Sequence, residues 1–251
     1  MDWPSSKDTA AIHAGLQAMT IWSLEKGAEL SSIIGDDETT ELCKTTVSQL
    51  RSVTPPHNNS KQAAALLALT GMLDPQTAYN DVLSVGGAKN FSTFYGYYML
   101  EAMAKAGKYQ EAMEIISTYW GAMLDLGATT FWEDFNMDWL QNAGRIDEMM
   151  SPGKVDIHAA YGDYCYVGHR HSFCHGWASG PTVWLSQHVL GIQLAAPGGK
   201  TFRVKPNLGN LAFAEGTYPT ARGPIYVKHT KNSKGKVISV VKAPKGIRII
   251  K

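Results

Sequence analysis

The sequence predicts a mainly α-helical chain that ends in a short antiparallel β region. Apolar residues recur at helical spacing over the first 150 residues, and Gly or Pro closes each such stretch. After Pro197-Gly198-Gly199 the pattern switches to alternation at every second residue. The 251 residues are 44% hydrophobic and 18% charged, enough apolar material for a packed core in one large domain or one and a half.

The first helix follows Ile12, Leu16, Met19 and Trp22 or Ser23, and Gly35 stands where a left-handed cap would end it. Asp36 or Asp37 is the N-cap of a second helix that runs through Leu42, Thr46 and Leu50 to Pro55-Pro56. Ser60 opens a third over residues 61–72, and a shorter one follows Asp74-Pro75 as far as Gly86-Gly87. The clearest pair is 91–106 and 109–126, with Gly107 as the turn between them. Its second member carries the stripe Tyr109, Met113, Ile116, Tyr119 or Trp120, and Met123. Helices joined by such short turns form antiparallel hairpins.

From 128 to 180 the periodicity fails, and Gly, Tyr, Trp, His and Asp accumulate, as in functional loops. Helical spacing returns over 177–189 before Gly191. Short strands then fall at 201–205, 225–229, 236–240 and 246–251, and Asn232-Ser233-Lys234-Gly235 reads as a hairpin turn. The strands read as antiparallel, and a domain boundary is expected near 196.

Net charge is +1, but residues 1–195 hold 11 basic against 21 acidic side chains, and residues 196–251 hold 12 against 1. The basic residues stand singly among Val, Ile, Phe and Pro, as on the solvent face of strands, so nucleic-acid binding is not expected. No apolar run is long enough for a membrane span, and the N-terminus lacks signal-peptide character. Three cysteines, Cys43, Cys165 and Cys174, allow at most one bridge and no disulfide framework. Asn58-Asn59-Ser60 and Asn90-Phe91-Ser92 match the glycosylation triplet, as often happens by chance.

Several signatures fail on inspection. Gly199-Lys200-Thr201 lacks the earlier glycine of a phosphate loop, because Leu194 stands there. The serine of Gly176-Trp177-Ala178-Ser179-Gly180 is one place late for a nucleophile elbow, and Gly-x-Gly-x-x-Gly is absent. The run from Cys165 to His175 is rich in imidazole and thiol, yet its spacing fits no zinc template and Arg170 sits among the would-be ligands. No metal or organic cofactor is expected.

The sharper constellation is Thr129-Thr130-Phe131-Trp132-Glu133-Asp134, two carboxylates behind aromatic residues on a loop after a helix stop. Sugar chemistry uses this combination, because aromatic rings stack on apolar sugar faces while carboxylates bind hydroxyls and move protons. Glu133 is the candidate catalytic carboxylate; the alternative is an acidic cap for a following helix, for which Asp134 is the better candidate.

Four segments in order, Thr129-Thr130-Phe131-Trp132-Glu133, Ser172-Phe173-Cys174-His175-Gly176-Trp177-Ala178-Ser179-Gly180-Pro181, Val189-Leu190-Gly191-Ile192 and Glu215-Gly216-Thr217-Tyr218-Pro219-Thr220, resemble bacterial α-L-rhamnosidases of glycoside hydrolase family 78. The resemblance covers essentially the whole chain. It implies the C-terminal part of an (α/α)6 toroid of helical hairpins over 1–195, followed by a truncated antiparallel β-sandwich over 196–251. It further implies hydrolysis of terminal α-L-rhamnosyl residues from glycosides or polysaccharides, with inversion at the anomeric carbon. Glu133 then matches the general base, His175 a histidine that bonds rhamnose hydroxyls, and Trp3 a pocket tryptophan. Trp132 and Trp177 are candidate pocket walls, with core packing the alternative for both.

Inversion also needs a general acid, and the family's acidic and arginine-rich acid motif has no counterpart among residues 1–60: Asp36, Asp37 and Glu38 sit in a turn, with no arginine before Arg51. The expectation is therefore a fragment that is inactive alone. Helix faces meant for absent neighbours would favour self-association. A noncatalytic sugar-binding or scaffolding role is the alternative. Compartment stays open, since a signal peptide of a periplasmic or secreted enzyme would precede these residues.

Overall fold

A computed structural model describes residues 7–157 and 172–250. Its elements are α1 (Thr9–Ile34), α2 (Asp37–Leu50), α3 (Lys61–Leu69), α4 (Pro75–Ala78) continuing into a wide turn at Tyr79–Leu83, α5 (Gly96–Lys105), α6 (Tyr109–Asp125) and α7 (Gly180–Trp184). Six strands follow: β1 (Ile192–Leu194), β2 (Thr201–Val204), β3 (Phe213–Tyr218), β4 (Ile225–Lys231), β5 (Val237–Lys242) and β6 (Arg248–Ile250). No described helix is long and apolar enough to cross a membrane.

The helix starts follow local chemistry. Asp8, Asp36, Ser60 and Asp74 each accept a backbone N–H three residues on, which satisfies one of the orphan donors of the first turn. Those N–H donors hold the three aspartates below the usual carboxylate range. Gly35 ends α1 in the left-handed region at φ 78°. The expected helix at 91–106 begins only at Gly96, because 91–95 is a turn whose Thr93 hydroxyl is committed elsewhere.

The helices α1, α3, α5 and α7 pack side by side, with α2 and α6 against their hairpin partners. The buried face of α1 matches the expected stripe in part: Met19 and Trp22 pack against the core, but small residues supply its centre. Ala11, Ala14, Gly15, Ala18 and Ile21 point inward, whereas Leu16 is half exposed and Leu30, Ile33 and Ile34 are exposed. Small residues let α1 lie close to the alanine-rich α3, where Ala63, Ala64, Ala65 and Ala68 have no exposed surface. On α2, likewise, Thr40 and Cys43 are inside and Leu42 is outside. The α6 stripe is as expected around Tyr119, Trp120 and Met123. Leu66, Leu67, Met99, Leu100 and Met103 fill the centre, each worth about 1.5–3 kcal/mol of burial.

The strands form two small sheets, β1-β2-β6 and β3-β4-β5. Ile192 and Phe202 of the first share one apolar cluster with Ile225 and Val227 of the second. The hairpin at 232–235 is present, with Asn232 accepting the N–H groups of Lys234 and Lys236. One pairing departs from the all-antiparallel expectation: β6 runs parallel to β2, Phe202 opposite Ile249. The chain leaves β5 in one sheet and enters β6 in the other, so no hairpin forces the reverse direction. Strands β1 and β3 were not marked by the alternation.

His229 fastens the β region to the helices. Its ring is fully buried, with Nδ1 2.7 Å from the Ser239 hydroxyl and Nε2 3.0 Å from the Leu190 carbonyl. A carbonyl only accepts, so Nε2 carries the proton and Nδ1 accepts from Ser239.

Candidate functional site

Behind α6 the chain turns at Gly127 and passes through Phe131-Trp132-Glu133, with a bend at Glu133. Residues 172–175 pair with it: the Glu133 N–H donates to the Ser172 carbonyl at 2.8 Å and the His175 N–H to the Phe131 carbonyl at 2.8 Å. Trp132 is fully buried, 4.8 Å from Phe173 and 6.0 Å from Phe135 between ring centroids. It lies in the core behind the site, and its indole N–H has no hydrogen-bond partner among the described residues.

Glu133 is 3% exposed. Its carboxylate Oε2 accepts the Ser172 N–H at 2.8 Å and lies 3.9 Å from His175 Nδ1. Its own carbonyl accepts from the Trp177 indole at 2.7 Å and from the Thr93 hydroxyl. The backbone of the acid is thus gripped from α5's approach and from the turn at Gly176–Ala178. His175 meets Trp177 in a tilted contact, 4.6 Å between ring centroids, and keeps about a third of its side chain in solvent. Trp177 in turn meets Phe94, which touches Tyr98, and Tyr98 meets Trp22 of α1. Burial raises the Tyr98 phenol above its ordinary range and pushes neighbouring Tyr97 up to about 12, so both stay neutral donors.

The structure therefore brings Glu133, His175 and Trp177 together, with Trp132 behind them. Trp3 and most of the Cys165 to His175 run lie outside the described residues. Cys43 and Cys174 are free thiols. Asp134 is buried rather than an exposed helix cap. Sequence reasoning missed Thr93 and Ser172. Ser172 stood in a quoted motif with no role attached, and Thr93 was hidden inside an expected helix.

One end of the helix layer carries the site. Asn58 Nδ2 donates to Asp8 Oδ2 at 2.9 Å, Gln62 Nε2 to the Asn90 carbonyl at 3.4 Å, and Thr93 to Glu133. These bonds join the segments that lead into α1, α3 and α5, and Trp177 adds the one before α7. The opposite end is tied off: Arg51 donates to the Thr70 carbonyl and Lys105 to those of Ala68 and Leu69.

Comparisons with known proteins cover most of this chain. Residues 191–249 match the bacterial α-L-rhamnosidase C-terminal domain. An α-L-rhamnosidase of Alteromonas sp. (strain LOR) is 30% identical over 192 residues, covering 71% of this chain. The chain matches a C-terminal portion of the α-L-rhamnosidases. The GH78 rhamnosidase of Bacillus sp. GL1 superimposes with a TM-score of 0.69 at 22% identity over 91% of this chain. The Streptomyces avermitilis α-L-rhamnosidase, complexed with L-rhamnose, gives a TM-score of 0.70 at 16% identity over 93%. At these identities the structural likeness establishes the α-L-rhamnosidase fold for the described elements. The chain spans 19% of the Alteromonas relative and 25% and 22% of the two solved chains.

Proposed function

We propose that this chain carries the water-activating part of an inverting α-L-rhamnosidase site. It lies at one end of a partial (α/α)6 toroid over 1–195, followed by a C-terminal β-sandwich domain over 196–251. The observation that carries this reading is the buried Glu133 carboxylate, fixed by the Ser172 N–H and flanked by the half-open His175–Trp177 pair. A fixed carboxylate beside an imidazole and an indole face suits a polyhydroxylated ring with one apolar side. The sugar we assign is L-rhamnose, which the Streptomyces relative was solved with.

In this reading Glu133 takes a proton from water as the water oxygen attacks the anomeric carbon. The bond from that carbon to the leaving oxygen breaks, and the leaving oxygen receives a proton from a second carboxyl roughly 6.5–9.5 Å away. We assign that acid to polypeptide beyond these residues, so the isolated chain binds sugar without turning it over. His175 holds ring hydroxyls, Trp177 walls the pocket, and Trp132 supports the loop from the core. Trp3 keeps its pocket role on resemblance alone.

The test is release of p-nitrophenol from p-nitrophenyl α-L-rhamnoside by a polypeptide that includes the acid. Glu133→Gln should slow turnover by about 10²–10⁴-fold while rhamnose binding persists. Activity within tenfold of the parent would refute the assignment of Glu133. Turnover by the 251-residue chain itself would instead place an acid within it.

A further inference from the structure

Residues 196–251 hold 12 basic side chains and one acid, Glu215, and the strand register decides where those cations stand. Along β2, Phe202 and Val204 belong to the apolar cluster between the sheets, so Thr201 and Arg203 face outward, with Lys205 exposed at the strand's end. On β6, Ile249 packs inward opposite Phe202, which turns Arg248 and Ile250 outward. The parallel register puts Arg248 opposite Thr201 and Ile250 opposite Arg203, so the two arginines are diagonal neighbours on one face. Gln193 of β1 flanks Arg203 from the other side. Lys200 joins them, because its carbonyl accepts the Arg248 N–H at 2.8 Å. Arg222 lies along the turn into β6, where a Cβ on Gly246 would come 2.9 Å from its Nη1, and Lys245 is the residue before that glycine. The sheet thus gathers Lys200, Arg203, Lys205, Arg222, Lys245 and Arg248, all exposed.

No carboxylate offsets this group. Glu215 is paired with Lys228 at 2.9 Å in the other sheet, and none of the six cations forms an ion pair among the described residues. Like charges on neighbouring strands repel, so the sheet gains nothing from them by itself, whereas an anion lying between them would relieve the repulsion. The arginine fork matches a carboxylate with two parallel N–H bonds. Alternate residues of a strand stand about 6.5–7 Å apart and adjacent strands about 5 Å. Such wide spacing suits a polymer with separated charges better than duplex DNA, which carries a charge every ~1.7 Å of its axis. The Thr201 hydroxyl and Gln193 amide stand among the arginines and can bond sugar hydroxyls.

We propose that the outward face of the β1-β2-β6 sheet binds the carboxylated backbone of an acidic polysaccharide. The basic face stands on the register and exposure of its residues. The choice of a polysaccharide among polyanions rests on the function proposed above, because a polymer held there would keep its rhamnosyl groups at high local concentration for the Glu133 site.

The test is calorimetric titration of the 251-residue chain with polygalacturonate, dextran and duplex DNA, and separately with methyl α-L-rhamnoside. Polygalacturonate should bind and neutral dextran should not, and the affinity should fall at least about tenfold between about 0.02 and 0.2 M salt. The Arg203→Gln and Arg248→Gln double variant should weaken polygalacturonate binding at least about tenfold while its thermal melt stays that of the parent. The Lys234→Gln and Lys236→Gln double variant makes the same change in net charge on the hairpin of the other sheet, and should weaken binding less than about twofold. Equal losses in the two variants would reduce the effect to net charge and overturn the assigned face. Equal binding of dextran, or tighter binding of duplex DNA, would overturn the assigned partner. Binding of polygalacturonate without binding of methyl α-L-rhamnoside would keep the basic face and overturn the rhamnosidase reading instead.

Discussion

Replacing Gly191 by Ala tests how the helical layer joins the β region. Gly191 has φ 71°, and an added Cβ would sit 2.2 Å from both the carbonyl carbon and oxygen of Lys205 and 2.5 Å from the Pro206 nitrogen. These are backbone atoms, so no rotamer change relieves the contact. Carbon contacts prefer about 3.5–4 Å, so the two segments must separate by more than an ångström. That would break the Lys205 N–H bond to the Gly191 carbonyl, 2.9 Å long, beside the Ile192–Val204 pair that starts the sheet. Gly35→Ala is the matched control, with φ 78° and nothing within 4 Å of its Cβ. There the left-handed penalty of about 1–2 kcal/mol is offset by about 0.4–1 kcal/mol of reduced unfolded-state entropy, leaving roughly 1 kcal/mol. At Gly191, overpacking of about 1–3 kcal/mol and a lost hydrogen bond of about 1 kcal/mol raise the total to roughly 3–5 kcal/mol. At about 2–4 °C per kcal/mol, thermal melts followed by circular dichroism should drop by about 2–4 °C for Gly35→Ala and by at least 6 °C for Gly191→Ala. Equal shifts would refute the claim that close backbone approach, rather than φ, dictates glycine at 191.

Two further outcomes are expected. Burial holds His229 below its ordinary 6.5, so under that pH the unfolded chain binds a proton that the folded one refuses. Stability contributed by this residue is complete above about 6.5 and is lost as pH falls below it; urea unfolding between pH 7 and 5 should show a shallower decline in His229→Gln. Trp184 is fully buried and its indole donates to the Leu100 carbonyl at 3.0 Å, so Trp184→Phe should lower the unfolding free energy by about 2–3 kcal/mol, read from the urea midpoint at constant slope. An unchanged midpoint would mean that α7 is not anchored through this residue.

Helix starts and stops were the most legible part of the sequence, because capping is local: Asp36, Ser60 and Gly35 act within three residues of themselves. The inward faces were less legible. Periodicity of large apolar residues pointed to Leu16 and Leu42, but close helix packing selects small side chains, and alanine gives a weak hydrophobic signal. The parallel β2–β6 pair was hidden because alternation reports which face is buried and not which direction a neighbouring strand runs. At the site, Glu133, His175 and Trp177 stood in recognisable segments. Thr93 did not, since its bond to Glu133 spans 40 positions and no local pattern encodes it.

The two ends of the helix layer divide the work. At one end the turns are short, and the last carbonyls of α3 and its C-terminal extension are held by Arg51 and Lys105, long cations suited to the negative end of a helix. That end gives rigidity and has little room for variation. At the other end the connections are long, and the bonds between them run from Asp8 through Asn58, Gln62 and Asn90 to Thr93 and Glu133. Apart from Gln62 in the first turn of α3, these side chains stand on loops, where substitution is tolerated more readily than in the packed helix faces. A carboxylate placed on that chain inherits its position from Thr93, Ser172 and Trp177 rather than from its own rotamer.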